Sequence, residues 1–435
     1  MNMDAFNRGM EAFINASPTP WHAAANMLAR LRENGYELLK ESDAWHLEPG
    51  GKYVVIRNHG GLIAVRMGDG VPAETGFRIM GAHTDSPGLR IKPNPDLNSH
   101  SYTRLGVEVY GGALLNPWFD RELSIAGRVT CEDAEGRFKT VLVDFSEPVA
   151  LIPSLAIHLD RGVNENRVIN KQTHLPPILL QTPENGVPRP FGQILLEQVK
   201  LSVPDVVTVL GYDLCLYDVQ PLGRAGLNQE FLVGGRLDNL LSCYAGLTAL
   251  VESSGNLPAI LVCTDHEEVG SQSVSGAQGN FLTSVLSRIC PDPETYGRAM
   301  AASLLVSTDN AHGVHPNYAE RHDPSHGPRL NRGPVIKINA NERYATSAET
   351  AAAFRVLCRT ADVPHQVFVV RSDMACGSTI GPLIAAETGV KTVDVGVPTF
   401  AMHSVRETAG VCDGYYLNQV LTAFLDADAL PGIAT

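Results

Sequence analysis

Near the amino terminus apolar residues recur at helical spacing, with Phe6, Met10, Phe13 and Ile14 on one face of residues 4–15. The string SPTP breaks that pattern, and a second helix is expected from Trp21 to about Glu33. The period then changes to two. Residues 53–57 and 62–65, separated by Asn-His-Gly-Gly, predict a hairpin, and residues 77–82 predict a strand that ends at His83. From about 92 to 233 short strands and turns dominate, with strands expected at 106–110, 125–130, 139–144, 206–211 and 214–218. A proline-containing loop over 163–190 and one short helix over 194–200 interrupt them. After Gly234 and Gly235 helical periodicity returns in 239–252, where Leu240, Tyr244, Leu247 and Val251 share a face. Apolar runs at 259–263, 303–306, 366–370 and 392–397 then alternate with helical patterns at 351–359 and 417–424.

This alternation predicts an α/β fold, a mixed sheet with helices on both faces, built from residues 1–92 and 234–435. Residues 93–233 form an inserted β-rich domain in this reading. The 435 residues, 44% hydrophobic and 19% charged, suit a globular chain of two domains. A net charge of −13 argues against nucleic-acid binding, which needs a basic surface. No apolar run approaches the ~18 residues that cross a bilayer, and MNMDAFNRGMEAF has neither the basic start nor the apolar core of a signal peptide. The expectation is therefore a cytoplasmic protein with no membrane partner. Eight scattered cysteines without a CxxC pair read as buried small residues in a reducing compartment, not as disulfides or a thiolate metal site.

Candidate chemistry sits where the predicted strands end. His83 and Asp85 follow one, Asp265 to Glu268 another, Asp309 a third, and His403 the last. Ligands of open α/β sheets bind beyond the carboxyl ends of strands, so these residues can converge. Singly, each reads as a packed histidine or a solvated acid. Jointly, histidines and carboxylates without competing thiolates are the donor set of a dinuclear site for a borderline metal.

The strings GAHTDSPGLR (81–90), GGRLDNL (234–240), DHEEVGS (265–271), STDNAHGVHPNY (307–318), IKINANERYAT (336–346), CGSTIGP (376–382) and AMHSVRE (401–407), with SPTPWHA (17–23), resemble the aspartyl aminopeptidases, a family of dinuclear zinc exopeptidases. The resemblance runs from near residue 17 to near 407, with the motifs in family order. It implies His83 and Asp309 on one metal, Glu268 and His403 on the second, and Asp238 bridging both. Zinc is favoured, and manganese or cobalt suits the same donors. Asp85 is the residue expected to fix the His83 tautomer. Adjacent residues of an extended segment face opposite sides, so Glu267 and Glu268 take separate roles, and the resemblance implies Glu267 as general base and Glu268 as ligand. His158, in SLAIHLDRGVN of the insertion, resembles the histidine that reaches a neighbouring subunit's site and stabilises the oxyanion.

Lys337 resembles the lysine that meets an acidic substrate side chain, with Tyr344, Met374 and Gly377 as further pocket residues. The implied activity removes amino-terminal Asp, and Glu, from peptides, in a homododecamer formed through the insertion. His266, His312, His315, His322 and His326 keep structural readings. LLNPW (114–118) departs from the family pattern by its proline. Two rivals remain. One is a hydrolase of the same scaffold acting on neutral amino-terminal residues or N-acyl amino acids; the other is a non-catalytic assembly protein. Lys337 discriminates the first, and a missing base or ligand would mark the second.

Overall fold

The computed structural model describes residues 1–183 and 186–430, so Glu184 and Asn185 of the expected 163–190 loop, and the last five positions, lie outside the described residues. The chain divides into two compact units. The first comprises Met1–Asp85, Leu222–Met402 and Glu407–Thr435, and the second Ser86–Pro221 and His403–Arg406. The expected junctions at 92/93 and 233/234 fall at strands Gly88–Ser99 and Phe231–Gly234, which the contact division leaves whole.

The first unit is built on a nine-stranded mixed sheet. Its order is Glu37–Leu39, Lys52–Arg57, Gly61–Arg66, Ala259–Thr264, Arg78–His83, Leu304–Thr308, Lys391–Gly396, Val335–Lys337 and Gln366–Phe368. The central strands Ala259–Thr264, Arg78–His83, Leu304–Thr308 and Lys391–Gly396 run parallel, in register Val262↔Gly81 and Val306↔Met80. All residues of the first three are buried, which is why they read as continuous apolar runs. Their side chains still alternate between faces. Met80, Leu261, Leu304 and Val306 pack with Phe6, Leu240, Leu247, Phe354 and Phe424 on one side, while Ile79, Val262 and Leu305 pack with Phe281, Val285, Ile380 and Ile384 on the other. Fully burying each such side chain contributes about 1.5–3 kcal/mol.

Helices Met3–Asn15, Pro20–Glu33, Leu237–Glu252, Ala348–Thr360 and Asp413–Asp426 cover the first face, and Phe281–Ile289, Pro293–Ala301 and Ile380–Thr388 the second. Helix Leu237–Glu252 is buried from Leu237 through Leu250, because other helices flank it on the sheet. A small five-stranded sheet of Gly223–Ala225, Phe231–Gly234, Glu407–Gly410, Pro398–Phe400 and Ala311–His312 was not expected. Its pieces are two to four residues long, and two local hairpins are joined into one sheet by the long-range pairings Leu232↔Ala409 and Ala311↔Pro398.

The second unit is a seven-stranded antiparallel sheet with helix Phe191–Ser202 packed on it. The two strands expected at 206–211 and 214–218 are one, Val206–Asp218. Gly211 is not a turn there but lies beside a register shift against strand Glu122–Asp133, and such a bulge lets one strand absorb an irregular residue. The 163–190 loop is also less irregular than expected, since it holds helix Val163–Asn166 and strand Ile178–Gln181. The proline of LLNPW occupies the first turn of a 3₁₀ segment, Asn116–Trp118, and Trp118 is buried. Among the described residues no helix is long and apolar enough to cross a membrane.

Candidate metal centre and active site

Three neighbouring parallel strands deliver the first unit's acidic residues to one end of the sheet. Arg78–His83 ends in His83, Ala259–Thr264 is followed by Asp265 to Glu268, and Leu304–Thr308 by Asp309. His83 is 1% exposed. Its Nδ1 lies 3.0 Å from the Asp85 main-chain oxygen, so Nδ1–H donates there and Nε2 is the nitrogen left for a metal. That Nε2 is 3.6 Å from Asp238 Oδ1 and 3.6 Å from Asp309 Oδ1. Ligand atoms of His83, Asp238 and Asp309 all lie within 4.8 Å of one another, as do those of His83, Glu267 and Glu268.

Each partner is fixed by its own bonds. Asp238 stands at the start of helix Leu237–Glu252, where its backbone is not yet helical and its N–H donates to Glu407 Oε2 at 2.9 Å. Asp309 accepts from Asn239 Nδ2 at 3.2 Å, and Asn239 also donates to the Thr308 carbonyl at 3.0 Å. Asp85 does more than the tautomer role expected of it. Its Oδ1 accepts the Glu267 N–H at 3.0 Å and its Oδ2 the Glu268 N–H at 3.1 Å. One carboxylate therefore clamps the backbone of both glutamates while its own carbonyl orients His83.

The electrostatics are those of concentrated like charge. Burial pushes the Glu267 carboxyl up to about 8, with His83 opposing and Asp309, Asp85 and Asp238 adding to the rise. Burial, then the neighbouring Asp238, lifts Glu268 well above the usual carboxylate range. Burial alone would depress the His83 imidazole, but Asp238, Asp309 and Asp85 raise it well above its ordinary value. Asp309 is held low despite burial, first by Lys337 and then by His83. The buried arginines Arg66 and Arg78 lie at the opposite end of the sheet, beside Ala259. Five acids, Asp85, Asp238, Glu267, Glu268 and Asp309, thus crowd around His83, and Lys337 adds its charge beside Asp309. Clustered carboxylates that hold a proton on the imidazole are a set that positive charge must compensate, and a divalent metal that displaces the Nε2 proton fits it.

Lys337 is buried rather than solvated. It is 2% exposed, and its Nζ donates to Asp309 Oδ2 at 3.4 Å and to the Asn310 carbonyl at 3.2 Å. The ammonium also lies 5.1 Å from the centre of the Tyr344 ring, which packs edge-on against Phe368. Two of its three N–H groups are engaged, and one is left for a further acceptor. Met374 is 42% exposed and lines a cavity of about 270 Å³ with His312, Phe368 and Phe400, while Gly377 has open space around it.

Two of the expected residues belong to the second unit. His403 lies on the segment His403–Arg406, with its Nδ1 3.3 Å from the Gly112 carbonyl. His158 is exposed in a loop where Leu155, Ile157 and Leu159 are 59%, 45% and 75% exposed. Sequence reasoning left unassigned Asn239, Glu407 and Cys243, whose Sγ donates to the His83 carbonyl at 3.0 Å, and it gave His312 only a structural reading. Asn239 and Glu407 stood inside the quoted strings GGRLDNL and AMHSVRE, and that adjacency was the available signal.

Comparison with known proteins agrees along nearly the whole chain. A family model described as "Aminopeptidase I zinc metalloprotease (M18)" matches residues 13–425. A "Probable M18 family aminopeptidase 2" of Pseudomonas aeruginosa is 56% identical over 428 residues, 98% of this chain and 99% of the relative. A protein of the same description from Azotobacter vinelandii is 55% identical over 428 residues, with the same coverage. Among solved structures, "Cryo-EM structure of the Ape4 and Nbr1 complex" superposes with a TM-score of 0.94 at 37% identity, covering 98% of this chain and 86% of that one. "Structure of S. cerevesiae mApe1 dodecamer" superposes with a TM-score of 0.84 at 29% identity, covering 96% and 95%.

Proposed function

This chain belongs to the aminopeptidase I (M18) family of zinc metalloproteases, and within that metallo-aminopeptidase activity we propose that it removes amino-terminal Asp, and Glu, from peptides. The observation that supports acidic specificity is the buried Lys337 ammonium beside Asp309, with one N–H uncommitted. A substrate carboxylate supplies the acceptor that N–H lacks, whereas a neutral side chain leaves it unpaired in a water-poor pocket. Tyr344, Met374 and Gly377 form the surroundings of that side chain in this reading.

We assign His83 and Asp309 to one divalent ion, Glu268 and His403 to a second, and Asp238 to both, with zinc favoured. When bound, the ions supply Lewis acidity at the scissile carbonyl and render water acidic enough to deprotonate near neutral pH. Glu267 receives that proton on its carboxylate and delivers it to the nitrogen of the leaving amine. Asp85 keeps the Glu267 and Glu268 backbones in place while its carbonyl holds His83 in the tautomer whose Nε2 can coordinate.

We further propose self-association into a homododecamer in which His158 reaches the site of a neighbouring copy and stabilises the oxyanion. The exposed Leu155, Ile157 and Leu159 beside it support a loop that is covered in an assembly, and a similar solved structure is described as a dodecamer. A cytoplasmic setting is consistent with eight cysteines that no disulfide joins. The second reading, a hydrolase of neutral amino-terminal residues, rests on the two bonds of Lys337, which balance its charge without substrate.

The deciding experiment is a panel of Asp, Glu, Leu, Ala and Lys anilides, assayed before and after chelation and again with zinc, manganese or cobalt restored. Chelator-sensitive turnover confined to Asp and Glu, and lost selectively in Lys337→Ala, is the expected result. Preference for Leu or Ala, with Lys337→Ala unchanged, selects the second reading.

A further inference from the structure

The turn that presents Glu267 and Glu268 begins at His266, whose backbone is left-handed at φ 65° and ψ 24°. That conformation is uncommon for a residue with a Cβ, although histidine adopts it more readily than most, and it is held here by the bonds around it. It is also what sends the chain from strand Ala259–Thr264 directly into the 3₁₀ segment Glu267–Val269.

The His266 side chain closes the turn against the far arm of the same loop. Its Nδ1 lies 2.8 Å from Ser273 Oγ, and Ser273 Oγ accepts the Gly276 N–H at 3.0 Å. On the near side the His266 N–H donates to Asp265 Oδ1 at 2.8 Å, and Nε2 is 3.8 Å from Asp265 Oδ2. The main chain repeats the closure. The Ser271 N–H donates to the His266 carbonyl at 2.8 Å, and the Asp265 N–H to the Ser275 carbonyl at 3.0 Å. With Ser273 O–H donating to Nδ1, the ring carries its proton on Nε2, facing Asp265. Read donor to acceptor, the arrangement runs from the Gly276 N–H through Ser273 and His266 toward Asp265 across the loop.

We propose that His266 and Ser273 are positioning residues for the base. Together with Asp85, which holds the Glu267 and Glu268 N–H groups from the opposite side, they fix the direction in which the Glu267 carboxylate points. This inference rests on Glu267 being the base. The His266 and Ser273 side chains are engaged within the 265–276 loop itself, so their effect is expected in turnover rather than in binding. Small misplacement of a reacting group is costly in rate, of order 10²-fold for about 1 Å.

The test compares Ser273→Ala, His266→Ala and His266→Asn on an Asp-anilide, with kcat, KM, metal content by elemental analysis and melting midpoint measured for each. Ser273→Ala and His266→Ala are expected to lower kcat roughly 10- to 100-fold, with KM and metal content within about twofold of the parent. His266→Asn is expected to recover most of kcat, because asparagine tolerates the left-handed conformation and offers Ser273 Oγ a polar partner near the Nδ1 position. Unchanged kcat in Ser273→Ala and His266→Ala overturns the proposal. So does a joint fall of kcat, metal content and melting midpoint that His266→Asn does not relieve, since that marks a purely structural network. If His266→Ala does not fold, Ser273→Ala decides alone. Glu267→Gln separates the two readings: full activity there overturns the base assignment and this inference with it, whereas an inactive Glu267→Gln beside a fully active Ser273→Ala overturns this inference only.

Discussion

The two units handle buried charge in opposite ways. In the second, the buried acids among the described residues, Asp133 and Asp218, are each matched by cations: Arg137 and Lys139 for Asp133, Arg121 and Arg406 for Asp218. In the first, Asp85, Asp238, Asp265, Asp309, Asp394, Glu407 and Asp413 are all buried. Of the unit's buried cations, Arg66 and Arg78 sit at the far end of the sheet, bonded to main-chain oxygens. A fold selected for stability alone matches its buried charges, since an uncompensated one costs several kcal/mol. The first unit's excess of buried acids over buried cations coincides, around His83 and Lys337, with the site proposed above for the metal ions and the base.

The sharpest way to break that contrast is to replace Glu267, the base proposed above. Glu267→Gln keeps the shape and removes the ionisable carboxyl. It is expected to lower kcat by about 10²–10⁴-fold while metal content, read by elemental analysis, stays at the parent value. A next, smaller effect follows metal removal. A ligand that binds only the folded state at about 1,000 times its dissociation constant stabilises by roughly 4 kcal/mol. Chelation should therefore lower hydrogen-exchange protection in Arg78–His83, Leu304–Thr308 and the Glu267–Val269 turn. Strands Glu122–Asp133 and Val206–Asp218 should keep theirs. Equal loss in both units would show that the charge mismatch is not what the metal relieves.

The contrast also explains what the sequence made legible. The central strands and helices such as Met3–Asn15 and Leu237–Glu252 are visible because each is long and apolar enough to declare its period, whereas the nine-residue helices Phe281–Ile289, Pro293–Ala301 and Ile380–Thr388 were not expected. His83 and Asp309 drew notice as candidates because they stand at strand ends. Val206–Asp218 was split because Gly211 interrupts the alternation, and a bulge cannot be told from a turn without its partner strand. The five-stranded sheet was missed because no local pattern specifies pairs such as Leu232↔Ala409. Glu407 and Asn239 were passed over for a different reason: an acid or amide in sequence looks solvated, and only the fold buries it against Asp238 or Asp309. Lys337 shows the same effect, since its burial depends on Asp309 arriving from a separate strand.

A third prediction sets the units against each other through pH. Asp413 is buried beside Cys412, Tyr416 and Arg332, and burial raises its carboxyl to about 7, although the Asn331, Gly333 and Arg332 N–H groups pull it down. Its folded value lies above its unfolded 3.8, so between those limits the folded state holds a proton that the unfolded chain has released. Stability from this group is complete below pH 4 and is lost as pH rises toward 7, at up to about 1.4 kcal/mol per pH unit. The check is the pH dependence of unfolding from 5 to 7, with Asp413→Asn expected to flatten it. A dependence that Asp413→Asn leaves intact assigns the effect elsewhere.

Asp133 should do the reverse, and more weakly. The Arg137 N–H first, then the Arg137 guanidinium and the Lys139 ammonium, lower its carboxyl to about 2, below the unfolded 3.8. Its Oδ1 caps the turn between strands Glu122–Asp133 and Phe138–Asp144 by accepting from Glu135 and Arg137 at 3.1 and 2.9 Å. That contribution is present above pH 3.8 and disappears as pH falls through 2, the sign opposite to Asp413. Exchange protection of the Glu122–Asp133 and Phe138–Asp144 amides, corrected for intrinsic rates, should fall over that acid window, and Asp133→Asn should remove the dependence. If acid instead loosens this hairpin no more than the strands around His83, then matched pairing does not govern the second unit, and the distinction between the units reduces to burial alone.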